Sequence, residues 1–418
     1  VEFMKGLKYK LNLTPDFQFY RYNSYLGLYD YGLNKNDITQ VTEQQTRTRN
    51  VLVENLLTFD RTFGDHKISV LAGYTYQDSR YRYMQGSGQG MPTGIKEIDA
   101  AAQGLAVSGN SSRSVLTSIL GRAFYSYKNR YLLTATIRRD GSSKFGSNNR
   151  YGNFPSVSVG WKIPEEDIIK NNTTWTAQPK LRGGYGVLGN QEIDNYQYVS
   201  VVTTGINYPD GKSGLIQGAF PKTFANPDIK WEETAMTNIG IDFMALRNRL
   251  TLTADWYVKN TKDILLNVPI PISSGGANDP IKNAGKIRNQ GFEFNLGWNE
   301  SLNKDLSYGV SFLGTYNKNE VVEMGAESQS IIGGTIHGGT YTSKTLAGYP
   351  IGGFWLIPTD GYFNSAEEVQ AYQKDGVLIQ PSAAPGDIRF KDTNNDGTID
   401  DDDRVYCGSP FPKFTYSI

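Results

Sequence analysis

Residues 392–403 read Asp-Thr-Asn-Asn-Asp-Gly-Thr-Ile-Asp-Asp-Asp-Asp, and no other segment points as directly to chemistry. Asp392, Asn394, Asp396, the carbonyl of Thr398, Asp400 and Asp403 fall at the six ligand positions of a twelve-residue calcium loop. Gly397 stands where that loop turns sharply, and Ile399 is expected to point inward. Alternating hard oxygen donors suit calcium, and its role would be structural: outside a cell even a weak site fills and can order a long loop. The flanks are not two helices, so an acidic, solvated turn of similar spacing remains the competing reading.

Other reactive residue types are scattered. His66 and His337 are too few and too far apart in the sequence for a metal cluster, and Cys407 is the only cysteine, which excludes an internal disulfide and a thiolate metal site. We read Cys407 as a small apolar residue. The acidic pairs Glu165-Glu166, Glu232-Glu233 and Glu367-Glu368 lie in loops or strand ends without a nucleophile or base at a recognisable spacing, so no catalytic constellation emerges and an enzyme is not expected. Gly86-Ser-Gly-Gln-Gly90 and Gly183-Gly-Tyr-Gly186 lack the strand, helix and Lys-Ser/Thr of a phosphate loop and read as loop or strand glycines. Trp231, Tyr341, Trp355 and Tyr362, aromatics of the long connections, are candidates to stack on a substrate, with plain loop packing as the alternative.

Period-two alternation runs from end to end and must position these residues. Leu250, Leu252, Ala254, Trp256 and Val258 share one face of a strand, against Thr251, Thr253, Asp255, Tyr257 and Lys259 on the other. Ile68 to Tyr76 and Phe292 to Trp298 divide in the same way. Many segments reach about ten residues, the length a tilted strand needs to cross a bilayer. Short turns are expected at Thr14-Pro15-Asp16, Phe63-Gly64-Asp65, Lys128-Asn129, Arg247-Asn248 and Asn303-Lys304-Asp305. Long polar connections are expected over Asp30–Thr48, Met84–Arg113, Gly189–Thr234, Val268–Lys286 and Val322–Phe411. Short turns on one rim and long loops on the other is the asymmetry of bacterial outer-membrane barrels. About a dozen strands are expected, Lys180–Leu188 being the weakest because of its Gly183-Gly184 pair. A short helix capped by Ser365 is expected inside the last loop. No apolar run is long enough for a membrane-spanning helix. Lys plus Arg equals Asp plus Glu at 42 each, leaving no net field to hold nucleic acid. Tyr 27, Phe 19 and Gly 45 suit a barrel wall more than a soluble core. The chain shows no leader segment, and Lys413–Ile418 reads as a strand with nothing left to pair with, so a partial chain is expected.

Several stretches resemble the SusC/RagA-like TonB-dependent transporters of Bacteroidetes. They are Tyr131-Leu-Leu-Thr-Ala-Thr-Ile-Arg-Arg-Asp-Gly-Ser-Ser-Lys-Phe-Gly146, Phe154-Pro-Ser-Val-Ser-Val-Gly-Trp161, Gly189-Asn-Gln191, Asn226-Pro-Asp-Ile-Lys-Trp-Glu-Glu-Thr234, Asn289-Gln-Gly-Phe-Glu-Phe294, Gly386-Asp-Ile-Arg-Phe-Lys-Asp392 and Gly408-Ser-Pro-Phe-Pro-Lys-Phe414. The resemblance implies an all-β, antiparallel up-and-down transmembrane barrel, of which 1–418 is a part of about 22 strands in total. It implies an N-terminal plug, a TonB-contacting segment and closing strands outside this sequence, and a long extracellular loop over 323–411. It also implies location in the Gram-negative outer membrane, in contact with membrane lipid. A SusD-like surface lipoprotein would act as a lid, import would draw on the TonB complex, and the cargo would be an oligosaccharide or a peptide. A fragment of this kind is not expected to transport alone. The competing readings are a soluble or surface all-β carbohydrate-binding protein, which predicts short strands and evenly sized loops, and a secreted hydrolase, which predicts an acid/base pair at a cleft.

Overall fold

The computed structural model describes residues 1–418 except 167–176, 210, 212–213, 222, 269, 271–272, 274–277, 326–329 and 336–339; His337 lies outside the described residues. The chain divides into two units, one built mainly from residues 1–175 and 180–233 and the other from 234–268 and 283–418.

The first unit is an antiparallel up-and-down run: β1 (Leu7–Leu26), β2 (Gln40–Phe63), β3 (His66–Gln89), β4 (Gln103–Tyr127), β5 (Tyr131–Ser142), β6 (Tyr151–Lys162) and β7 (Lys180–Asn190), each pairing with the next. The second unit continues the pattern with β8 (Glu232–Ala245), β9 (Leu250–Lys262), β10 (Lys286–Ser301) and β11 (Ser307–Glu323).

Register carries the alternation from strand to strand. Trp256 stands opposite Phe292, Leu252 opposite Leu296 and Leu250 opposite Trp298, while Thr253, Asp255 and Tyr257 meet Asn295, Glu293 and Gly291. In the first unit Ile68, Val70, Ala72 and Tyr74 face Tyr125, Ala123, Gly121 and Ile119. Every unit therefore has one continuous apolar face and one polar face. Because the side-chain period is two, a one-residue slip in any pair would put polar groups among the apolar ones. On the apolar face Val70, Tyr74, Ile119, Leu133, Ile137, Val157 and Val159 are exposed, with no layer of the described residues over them. That is the arrangement of a wall against lipid, with the polar face turned to the lumen.

Four expected turns are present: Gly64, Lys128-Asn129 and Leu246-Arg247-Asn248 take positive φ, and Asn303 closes its turn by accepting from the amides of Asp305 and Leu306 at 2.9 and 2.8 Å. The fifth expectation fails. Thr14-Pro15-Asp16 lies inside β1, with Pro15 opposite Val51. The extended φ that proline's ring fixes is compatible with strand, so the alternation of β1 runs through it without a turn.

The strands are also longer than expected, 24 residues in β2 and β3 and 25 in β4. Expected loops 30–48 and 84–113 shrink to 27–39 and 90–102. Gly86 to Gln89, a loop by composition, is strand. At Gly88 an added Cβ would lie 2.5 Å from the Cβ of Ala101, so glycine there permits close packing. Gly183 and Gly184, the weak point of β7, pair with Val159 and Ser158. Elsewhere an aromatic ring sits on a strand glycine: Phe154 on Gly152 and Gly189, Phe294 on Gly314. Long strands with strongly unequal connections are the opposite of the soluble carbohydrate-binding alternative.

If the apolar face meets lipid, Ala254→Arg, in the middle of the Leu250–Val258 stripe, should cost about 2–4 kcal/mol, and Thr253→Arg, the residue before it but luminal, much less. Urea unfolding of the full-length protein in bilayers, read by heat-modifiable gel mobility, compares the two; equal penalties would refute the assignment of faces.

Candidate functional site

The most structured connection is 324–413, between β11 and the short strand at Phe414–Ser417, which pairs with β11 over Leu313–Tyr316. It contains β12 (Ile331–Thr335), β13 (Tyr341–Thr345), β14 (Gly353–Leu356), β15 (Thr359–Tyr362), α1 (Ala366–Ala371), β16 (Ile388–Phe390) and β17 (Val405–Gly408). Strands β12, β13, β14 and β17 form a four-stranded sheet, and β15 pairs with β16. Helix α1 starts as the sequence indicates: the Ser365 hydroxyl accepts from the Glu368 amide, with Glu367 and Glu368 in the first turn. The connection returns to its root. Val321 and Tyr349 are joined by a 2.8 Å backbone bond, and the Asn319 side chain accepts from the Ile351 amide at 2.8 Å.

The acidic loop 392–403 is shaped by its own side chains. Asp392 accepts from the amides of Asp396 and Gly397 at 3.1 and 2.8 Å. Asn394 accepts from Asp396 N–H at 2.9 Å, and Asp396 from the amide and hydroxyl of Thr398 at 2.8 and 2.7 Å. Gly397 has φ +96° and Asn395 φ +57°, conformations that suit glycine and asparagine. Lys374 reaches over the loop to donate to the Asn395 carbonyl.

Asp403 has a different place from the other expected ligands. It is fully buried; one carboxylate oxygen accepts from the Thr393 amide at 2.6 Å and its hydroxyl at 3.2 Å, the other from the Asp400 amide at 3.0 Å. Burial pushes its pKa up, but the bonds from Asp400, Thr393 and Asn394 more than offset this and hold it below the usual carboxylate range. Asp400 caps the single turn Asp401–Asp403 by accepting from the Asp402 amide. The Thr398 hydroxyl and amide lower the Asp396 pKa, with help from Asn394. Asp392, Asn394 and Asp396 are tied to one another and to loop amides at the head of the loop, while Asp403 staples its two ends. Among the described residues no group of three or more His, Cys, Asp or Glu side chains is arranged to hold a metal ion.

The four candidate aromatics separate. Trp231 belongs to the first unit and is only 5% exposed; its ring packs on Phe145 and Phe154 at 5.0 and 5.3 Å, and its indole N–H donates to the Arg150 carbonyl. It is a packing residue closed to substrate, a correction to the expectation. Trp355 forms a cluster with Tyr349 and Tyr406. Tyr341 lies in the same sheet as Trp355, under the Arg404 guanidinium at 4.6 Å. Tyr362 is 62% exposed on β15. Arg404, which sequence reasoning missed, links the pieces: it donates to Asp401 at 2.7 Å and to the Trp355 carbonyl at 3.3 Å. Its position one residue after the acidic run was the available signal. Cys407, read from the sequence as a small apolar residue, is exposed on β17. His66 sits beside its turn as expected and bonds the Tyr125 hydroxyl at 2.7 Å.

Next to this aromatic cluster is a cavity of about 290 Å³, whose walls include Tyr349, Tyr406 and Phe411 with Asn317, Asn319 and Lys413. The luminal faces carry polar networks: Tyr257 donates to Asn317 at 3.0 Å and Asn319 to Asn289 at 2.8 Å in the second unit. In the first unit Arg138 is bound to Asp140 at 2.7 Å and to Ser118 at 2.9 Å.

Long two-faced strands, short turns on one rim and a folded excursion on the other define an outer-membrane β-barrel protein. A family described as "TonB dependent receptor-like, beta-barrel" matches residues 2–401, and the chain belongs to that family. TonB-dependent receptor P39 of Formosa agariphila is 32% identical over 391 residues, covering 86% of this chain and 37% of its own length. TonB-dependent receptor SusC of Bacteroides thetaiotaomicron is 33% identical over 310 residues, covering 72% of this chain and 29% of its own. The fold matches a structure of the RagAB peptide transporter with a TM-score of 0.81 at 22% identity, over 99% of this chain and 43% of that one. The chain thus spans about a third of the length of the curated relatives it matches.

Asp403→Asn should raise amide exchange at Thr393 and Asp400 by at least about tenfold, because one acceptor oxygen becomes a donor against a buried N–H. A folded-state pKa below the unfolded value of ~3.9 contributes stability that is present above that value and lost as pH falls through the lower one. Exchange across 392–403 should therefore be flat from pH 7 to about 5, after correction for intrinsic rates, and accelerate only in stronger acid; loosening at pH 6 would contradict the assignment.

Proposed function

We propose that this chain forms part of the wall and outer loops of a TonB-dependent nutrient importer that takes up oligosaccharides or peptides together with a SusD-like surface lipoprotein. The observation that carries the reading is the division of every long strand into a lipid-type face and a polar inner face, with the connection 324–413 folded at the long-loop rim. Membership of a receptor family and the absence of any acid/base constellation in the sequence favour a binding and transport role over catalysis. Relatives named as TonB-dependent receptors support coupling to the TonB complex, and the likeness in fold to the RagAB peptide transporter supports peptide as one cargo class. The excursion 324–413 would face outward, where Tyr362 and the cavity beside Tyr349 and Tyr406 are available to cargo or lid.

Deleting the gene for the full-length protein and measuring cellular uptake of labelled oligosaccharides and labelled peptides tests this. Uptake of one class should fall at least about tenfold and return only when the TonB complex is intact. Unchanged uptake of both classes would reject the importer.

The acidic loop would hold calcium as a brace through Asp392, Asn394, Asp396, the Thr398 carbonyl and Asp400, with Asp403 holding the loop ends. Calcium added to the metal-free full-length protein should slow exchange across 392–403, and Asp396→Ala should abolish that response while leaving the strands intact. An equal response in the variant would remove calcium from this loop.

A further inference from the structure

Above its apolar band the outward face of the first unit changes abruptly in character. On β3 the outward positions Ile68, Val70, Ala72, Tyr74 and Tyr76 are followed by Asp78, Arg80 and Arg82; on β2, Phe59 to Val51 give way to Arg49 and Arg47; on β4, Tyr125 to Val115 give way to Arg113. Register sets these arginines side by side: Arg47 opposite Arg82, Arg49 opposite Arg80, and Arg80 opposite Arg113. Like charges directly opposite one another across a sheet are destabilising, so three such pairs in adjacent rows call for a counter-charge.

The protein supplies one. Asp78, buried, is bound by Arg113 at 3.0 Å and Arg80 at 3.3 Å, with Arg49 at 3.7 Å. Arg47 and Arg82 are exposed, and the Arg49 Nε is buried without a hydrogen-bond acceptor. The nearest other outward carboxylate on these rows, Glu43, is paired with Arg21. Five arginines against one aspartate leave four positive charges uncompensated.

Height identifies the counter-charge. From Ile68 to Arg80 is twelve residues, roughly 40 Å along a strand and about 30 Å vertically at a tilt of ~40°, which clears the hydrocarbon. The cluster lies toward the long-connection end of β2, β3 and β4, which is the outer rim. On the neighbouring β1, Phe17 and Phe19 stand opposite Arg49 and Arg47 and are 57% and 75% exposed, an apolar flank for acyl chains. We propose that Arg47, Arg49, Arg80, Arg82 and Arg113 form a binding site for the phosphate groups of an outer-leaflet phosphorylated glycolipid, with Asp78 holding the inner guanidinium groups in place. Guanidinium groups match phosphate oxygens bidentately. The site rests on the lipid-facing assignment of this face and is independent of cargo or import.

The test uses the purified full-length protein in nanodiscs, with diphosphorylated lipid A, the same lipid enzymatically dephosphorylated, and inorganic phosphate as probes. Retained lipid is counted by native mass spectrometry and affinity is measured by titration. The phosphorylated lipid should bind at least about tenfold more tightly than the dephosphorylated one. Arg47→Gln with Arg82→Gln, both outside the Asp78 network, should weaken it on the order of tenfold, and Arg82→Gln alone should weaken it by a smaller factor. Equal binding of the two lipids, unchanged binding in the variants, or displacement by inorganic phosphate at equal affinity would each overturn the site. So would a change of oligomeric state in the variants without a change in lipid binding, which would give this face to a second copy of the chain.

Discussion

A backbone that crosses lipid cannot leave an amide or carbonyl unpaired, since hydrocarbon offers no partner and each orphan costs several kcal/mol. Every strand must therefore be bonded on its flanks through the whole hydrocarbon thickness, and a period of two then fixes which residues see lipid and which see the lumen. The long uninterrupted ladders between β2 and β3 and between β3 and β4 meet this demand. The distribution of arginine, tyrosine and asparagine between the two faces follows from it.

The same constraint explains what could be read from the sequence. Alternation such as Leu250 to Val258 survives as strand register because lipid tolerates no slip, and the turns at Gly64, Lys128-Asn129 and Arg247-Asn248 are legible because positive φ demands those residue types. Composition misled where local rules are overruled by neighbours. Pro15 is carried inside β1 opposite Val51, and at Gly88 the Cβ of Ala101 leaves no room for a side chain. Strand length beyond the bilayer was illegible, since polar strand and polar loop have the same composition.

Of the candidate site, the acidic loop was legible in position and turn chemistry, because side-chain to backbone bonds act over a few residues. The separate place of Asp403 was not legible: its partners Thr393 and Asp400 are reached only once the loop closes on itself. Trp231 and Trp355 look alike in sequence, yet one is closed under Phe145 and Phe154 and the other belongs to an aromatic cluster in the excursion. Aromatic residues in loops report the capacity to stack, and only the fold says on what.

The tie from Val321 to Tyr349 alters the polymer statistics of the excursion 324–413. Closing about 90 residues at a single point would cost roughly 4 kcal/mol of chain entropy, and closing about 25 costs roughly 3. Pinned at Tyr349, the excursion becomes a short inner loop and a longer outer one, each with its own closure. The inner loop is shut at Tyr349, and the outer one, with the acidic segment and Tyr362, is shut at the strand Phe414–Ser417. The two closures are coupled as well as separate, because β13 of the inner loop pairs with β14 of the outer one and the Arg404 guanidinium lies over Tyr341, so ordering one segment lowers the entropy left to lose in the other.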